Sequence, residues 1–214
     1  MKILALSDEV VEQIYSSAVK DQYGDVDLIL GCGDLPFYYL EYVVTLLNKP
    51  LYYVPGNHDH EVQYMSDGRR VSYAEGGVNL DGRLAREGSL LLAGLGGSVR
   101  YKSDGLHQYT QAEMRLRAAG LGRGLVQNRL RYGRALDVLI THAPPRGIHD
   151  ANDPAHVGFE ALLPLLRWAR PRYLLHGHSH VWSRSQITRT RYAATEVINV
   201  YPYAVLEVEH VATR

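Results

Sequence analysis

The sequence predicts an α/β fold made as one domain over residues 1–214. Short apolar runs alternate with helically spaced apolar positions through the first 60 residues, and 214 residues suffice for one substantial core. The composition, 46% hydrophobic and 21% charged, is that of an ordinary soluble globular protein.

Residues 2–7 read as a strand, after which Val11, Ile14, Tyr15, Ala18 and Val19 recur along one helical face. Residues 27–32 give a second strand, Leu40, Val43, Val44 and Leu47 a second helical stripe, and residues 51–54 a third strand. This β-α-β-α-β order is that of a largely parallel sheet with helices packed on it. Strands over 78–80 and 89–95 follow, then the glycine-rich loop 94–98 and helical sequence over 111–132, broken near Gly120, Gly122 and Gly124. A strand over 137–140, a helix over 159–170 and a strand over 172–175 come next; Pro164 fits that helix only near its first turn. Residues 185–187, 192–200 and 203–208 read as a β meander.

Several function classes are disfavoured at once. Lys+Arg and Asp+Glu are both 23, so no global field favours nucleic acid or an anionic membrane. The apolar run 3–6 is too short for a signal peptide, and no stretch approaches the ~20 apolar residues that span a bilayer. The single cysteine, Cys32, between Gly31 and Gly33, cannot form an internal disulfide and reads as a small buried residue. A cytoplasmic location fits these features.

The chemistry lies where the potential metal ligands fall. Asp8 follows the first strand, Asp34 the second, Asn57 and His58 the third, His142 the strand 137–140, and His178 and His180 the strand 172–175. Ligands bind at the carboxyl edge of an open α/β sheet, so residues distant in sequence converge there. Taken singly, an Asp after a strand is a good helix cap and an Asn beside Gly a common turn residue. As a set, histidines with carboxylates and a carbonyl donor make a mixed N/O environment suited to Mn, Fe, Zn or Co.

The run of Ser7-Asp8, Gly33-Asp34, Gly56-Asn57-His58-Asp59, Thr141-His142-Ala143-Pro144-Pro145 and Gly177-His178-Ser179-His180 resembles the calcineurin-like metallophosphoesterase family over roughly residues 1–182. The resemblance implies two mixed β-sheets packed as a sandwich and flanked by helices, a four-layer arrangement carrying two divalent transition-metal ions. It implies that Asp34 bridges the ions, that Asn57, His142 and His178 hold one, and that Asp8 and His180 hold the other. The implied reaction is in-line attack of a metal-bridging hydroxide on the phosphorus of a small phosphodiester or phosphomonoester. His58 would then protonate the leaving oxygen or hydrogen-bond to the phosphoryl group.

Two departures from the family pattern stand out. The first motif is usually D-x-H, but Val10 stands where the histidine is expected, which leaves the Asp8/His180 position one ligand short. Water, Glu9 or a distant histidine must then complete it. Phosphoprotein phosphatases follow the second motif with an aspartate that orients the catalytic histidine; here Leu35-Pro36-Phe37 follows, against a protein phosphatase.

Other features compete for a role. His60, His149, His156 and His176 lie near the motifs, with His156 the best placed. Tyr38 and Tyr39 follow Asp34 and are candidates for a pocket wall or for the core. Six arginines and no acid lie between Arg115 and Arg134, readable as solvated helix faces or as a basic patch. The leading expectation is therefore a phosphoesterase acting on a small phosphate ester, with neither membrane nor nucleic acid as partner. Val10 suggests a degenerate relative that binds without turnover, and the arginines suggest a nuclease.

Overall fold

The computed structural model describes residues 1–60, 62–64, 68–183 and 185–208. The apolar runs of the first half form one mixed sheet in the order Tyr203–Glu207, Lys2–Leu6, Leu28–Cys32, Leu51–Val54 and Gly77–Asn79, parallel except for the first pair. A second sheet has the order Arg189–Tyr192, Thr195–Asn199, Tyr173–His176, Val138–Thr141, Leu90–Leu95 and Leu84–Glu87, its four central strands parallel and its two edges antiparallel.

Side-chain alternation explains the layering. In the first strand Ile3 and Ala5 enter a core that both sheets share, with Leu28, Leu30, Val54, Val138, Ile140 and Leu175, while Leu4 and Leu6 point the other way. There Tyr39, Leu40 and Val43 of the helix Phe37–Leu47 cover them. On the far face of the second sheet, Leu139, Leu174 and Val197 meet Met114 and Leu125 from the helices Gln111–Gly120 and Gly122–Tyr132, and Leu162 and Leu166 from the helix Leu162–Ala169. The result is a sandwich between two helical layers. Because helices cover both outer faces, the central strands are apolar on both sides and read as continuous runs.

Four local expectations are corrected. The helical face over 11–19 shrinks to the five-residue helix Val19–Tyr23, because residues 11–18 form successive turns in which the Ser16 hydroxyl donates to the Gln13 carbonyl. Residues 185–187 make no strand; the Gln186 side chain accepts from the Trp182 amide and donates to the His180 carbonyl, tying the segment into a loop. The run over 192–200 is split by a two-residue turn at Ala193, with φ 53°, into the hairpin Arg189–Tyr192 and Thr195–Asn199. That hairpin ends one sheet while Tyr203–Glu207 crosses to the other, so the C-terminal strands are not one meander. The edge strand Leu84–Glu87 has no apolar alternation and was not expected.

Candidate metal centre

The carboxyl ends of the central strands of both sheets meet at one edge, and the backbone there is held in unusual conformations. Asp8, Asp34 and His178 have φ of 65°, 54° and 64°, left-handed values that side chains other than Gly seldom adopt. The motif glycines permit the crowding. A Cβ at Gly56 would collide with the Asp34 carboxylate, and one at Gly177 with the side chains of Ser7 and Asp8.

The structure brings all six expected ligand residues together. His142 is fully buried, and its Nδ1 hydrogen-bonds to the Cys32 carbonyl at 2.9 Å. A carbonyl only accepts, so Nδ1 carries the proton and Nε2 faces the site. His178 is set in the opposite sense: Nε2 donates to the Ala155 carbonyl at 2.7 Å, leaving Nδ1 facing His142 Nε2 across 3.2 Å. Asn57 Oδ1 lies 3.0 Å from His142 Nε2 and Asp34 Oδ2 3.2 Å from it. The Asn57 amide nitrogen donates to the Tyr101 hydroxyl, which turns the amide oxygen inward. Four acceptor atoms therefore converge. Ligands about 2.1 Å from one ion stand roughly 3 Å apart at right angles, so these separations suit a transition-metal ion.

Asp8 lies beside this set, and donor atoms of Asp8, Asp34 and His142 fall within 4.8 Å of one another. Its carboxylate accepts from the Ser7 hydroxyl and from the His178 amide at 3.0 and 3.1 Å. His180 is looser, with Nε2 3.7 Å from Asp8 Oδ1 and a side chain 42% exposed. Its ring stacks on Tyr201 at 4.6 Å.

Charge follows the geometry. Burial opposes a charge on His142, but the Asp34 and Asp8 carboxylates outweigh it and push its pKa up to about 9. Burial, together with charged His142, pushes His178 down to about 4. Burial would raise Asp34, yet the His142 charge and hydrogen bond hold its carboxyl well below the usual range. In the absence of an ion, one proton on His142 supplies the cation that the acceptors require.

His58 lies at the exposed rim, its amide donating to Asp34 Oδ1 at 2.7 Å. No hydrogen bond reaches its ring among the described residues. Sequence reasoning quoted Asp59 in the motif but gave it no role. Its carboxylate accepts from the amides of Asp34 and Gly56, stitching two ligand loops together, and burial with the Asp34 charge pushes its pKa up to about 6. Tyr101 was also missed; it reaches Asn57 across 44 residues, which no local pattern discloses. His156 does line the cavity, together with Tyr101, Asp8 and His180. His149 and His176 instead bond to each other, and His149 also to Thr190, outside the ligand set.

The family model described as calcineurin-like phosphoesterase matches residues 1–182. The chain belongs to this family. One solved structure superposes with a TM-score of 0.63 at 15% identity, covering 96% of this chain and 94% of its own. Vps29 of Chaetomium thermophilum matches with a TM-score of 0.41 at 13% identity, covering 98% and 83%. A single mutant of Vps29 from Entamoeba histolytica matches with 0.43 at 14%, covering 93% and 73%. No curated protein matches this chain. Identities this low speak to the fold alone.

As a calcineurin-like phosphoesterase the chain departs from the pattern where the sequence indicates. Val10 packs against the apolar cluster of Leu4, Leu6 and Ile14 under the first sheet, and Glu9 accepts from the Tyr201 hydroxyl at 2.9 Å. Tyr39 is buried in that cluster and Tyr38 meets the Tyr15 ring edge-on, so neither walls the metal cavity. Four of the six arginines are engaged with other parts of the fold. Arg115 pairs with Glu160, Arg117 with Asp81, Arg134 with Asp137, and Arg129 lies over Trp168. Among the described residues no helix is long and apolar enough to cross a membrane.

Proposed function

We propose that this protein is a metal-dependent phosphoesterase that hydrolyses a small phosphodiester or phosphomonoester, with Asp8, Asp34, Asn57, His142, His178 and His180 as ligands of two divalent ions. The observation that carries the reading is the convergence of two imidazoles oriented by the Cys32 and Ala155 carbonyls, so that His178 Nδ1, Asn57 Oδ1 and Asp34 Oδ2 all lie within 3.2 Å of His142 Nε2. The proton on His142 that satisfies these acceptors holds the place a metal cation would take on displacing it.

The ions, when bound, supply Lewis acidity toward a phosphoryl oxygen and toward water. Asp34 and Asp8 would hold them and balance their charge, and the Asp59 carboxylate fixes the Asp34 loop against the Asn57 loop. His58 stands at the rim of the same 320 Å³ cavity, where it holds a proton for the leaving oxygen. Hydrolysis adds water across the P–O bond, releasing an alcohol and the remaining phosphate. The test is to purify the protein with its metals, count them, and assay p-nitrophenyl mono- and diesters before and after chelation. Metal-dependent turnover is the expected result; bound metal with no hydrolysis of any ester would replace this reading with that of a binding protein.

A further inference from the structure

Two further chambers adjoin the metal cavity and share side chains with it. It shares Asp34 and His58 with one of 340 Å³ that is also lined by His60, Gln63 and Tyr64. It shares His156 and His180 with another of 320 Å³ that is also lined by His149, Ser179, Trp182 and Gln186. The two chambers have no lining residue in common, and each borders the metal cavity through different side chains. Each presents a large aromatic side chain to solvent, Tyr64 in the first and Trp182, 83% exposed, in the second.

The lining also restricts charge. Arg70 lies over the Tyr64 ring, 5.9 Å from its centroid, so the first chamber has a cation at its wall, whereas among the described residues no Lys or Arg lines the second. Asp150, at the Trp182 chamber, is already neutralised by Arg146 and by the amides of Gly147 and Gly158. Among the described residues, a substituent bearing a second phosphate would find no unpaired cation in the Trp182 chamber. Hydrogen-bonding capacity is small as well. Both ring nitrogens of His149 and the Gln186 amide are engaged, whereas Ser179 is buried and its hydroxyl has no partner. Turning that hydroxyl about its Cα–Cβ bond onto a ligand would relieve an unmade hydrogen bond. A monoester, with one organic substituent, would leave one chamber empty.

Resting on the phosphoesterase reading, we infer that the site takes a phosphodiester whose substituent on the Trp182 side is an uncharged planar aromatic or heterocyclic group stacked on Trp182 beside Ser179. The leaving substituent extends past His58 toward Tyr64, where the proton is held. Stacking on one aromatic ring accounts for about tenfold or more in binding.

The test uses the metal-loaded protein. Bis(p-nitrophenyl) phosphate should exceed p-nitrophenyl phosphate about tenfold or more in kcat/KM. Trp182→Ala should lower the ratio of kcat/KM for bis(p-nitrophenyl) phosphate over methyl p-nitrophenyl phosphate about tenfold, through KM. Trp182 and Trp168 are the two tryptophans, so Trp168→Phe isolates the fluorescence of Trp182, and saturable quenching by adenosine or by benzyl alcohol tells a heterocyclic occupant from a simple aryl one. Preference for the monoester, or an unchanged ratio in Trp182→Ala with no quenching by either compound, overturns the inference while leaving the phosphoesterase reading in place. Saturable quenching without hydrolysis of any ester overturns the phosphoesterase reading and the diester assignment with it, and keeps only the stacking role of Trp182.

Discussion

On the proposed assignment of His142 as a ligand, a proton there competes with a metal ion. Its pKa of about 9 in the metal-free protein means that an incoming ion must displace the proton, so metal affinity should rise with pH, by up to about tenfold per unit toward pH 9. Stability of the metal-free protein should move the other way. A pKa raised above the ordinary 6.5 contributes stability that is full below 6.5 and is lost as pH climbs toward 9. Calorimetric metal titrations at pH 7 and 8, with thermal melts in chelator at pH 6.5 and 8.5, check both; equal affinities at the two pH values would show that His142 carries no proton to displace. Asp34 and His58 separate ligation from proton handling. Asp34→Ala should empty both metal positions, read by metal analysis, whereas His58→Ala should keep the metal and lose about two to four orders of magnitude in turnover. Because His180 is half-exposed and Val10 is turned into the core, metal titration should resolve two unequal affinities, with activity following the weaker. Two equal, tight steps would mean that another residue completes the Asp8/His180 position. The ligand residues were legible because each follows an apolar strand run. Asp59 and Tyr101 were not, since their roles are hydrogen bonds across loops that no spacing encodes.

The arginine-rich helices show how an element can mislead when read as a sequence. Arg117 is held between the Asp81 carboxylate and the Tyr109 ring, and Asp81 in turn accepts from the Gly96 amide, so the pair ties helix Gln111–Gly120 to the glycine-rich loop. Arg117→Ala should therefore cost about 2 kcal/mol of stability, the scale of hydrogen bonds to a charged group, as measured by denaturant titration. Nucleic-acid binding should be weak and lost with salt, since Arg117 and Arg134 are committed to the carboxylates of Asp81 and Asp137 and phosphate contacts release counterions. Sub-micromolar binding to DNA or RNA at physiological salt would revive the nuclease reading. Helix Phe37–Leu47 and the central strands were readable because burial on one or both faces imposes a period. The segment 11–18 carried a helical period but local serine bonding broke it, and the Ala193 turn lacks the Gly or Asn that usually marks a hairpin.

The family match ends at residue 182, but the sandwich does not. Strands Thr195–Asn199 and Tyr203–Glu207 close one side of each sheet, and Ile198, Val200, Leu206 and Val208 enter the shared core. Four such side chains at about 1.5–3 kcal/mol each are comparable with the whole net stability of a domain, about 5–15 kcal/mol. A fragment of residues 1–182 should thus aggregate through its bared sheet edges, and a soluble fragment with a cooperative melt would count against this assignment of the core. The sandwich itself could not be read from periodicity, which says which faces are apolar but not which sheet a strand joins; it was implied by the family motifs. Asp8, Asp34 and Asn57 come from the first sheet, and His142, His178 and His180 from the second. An ion bound among them would act as a rivet through two plates: a slip of one sheet over the other by an ångström would pull its ligands out of bonding distance, so the shear that loosens a bare sandwich would be locked, and chelation would soften the protein throughout rather than at one edge.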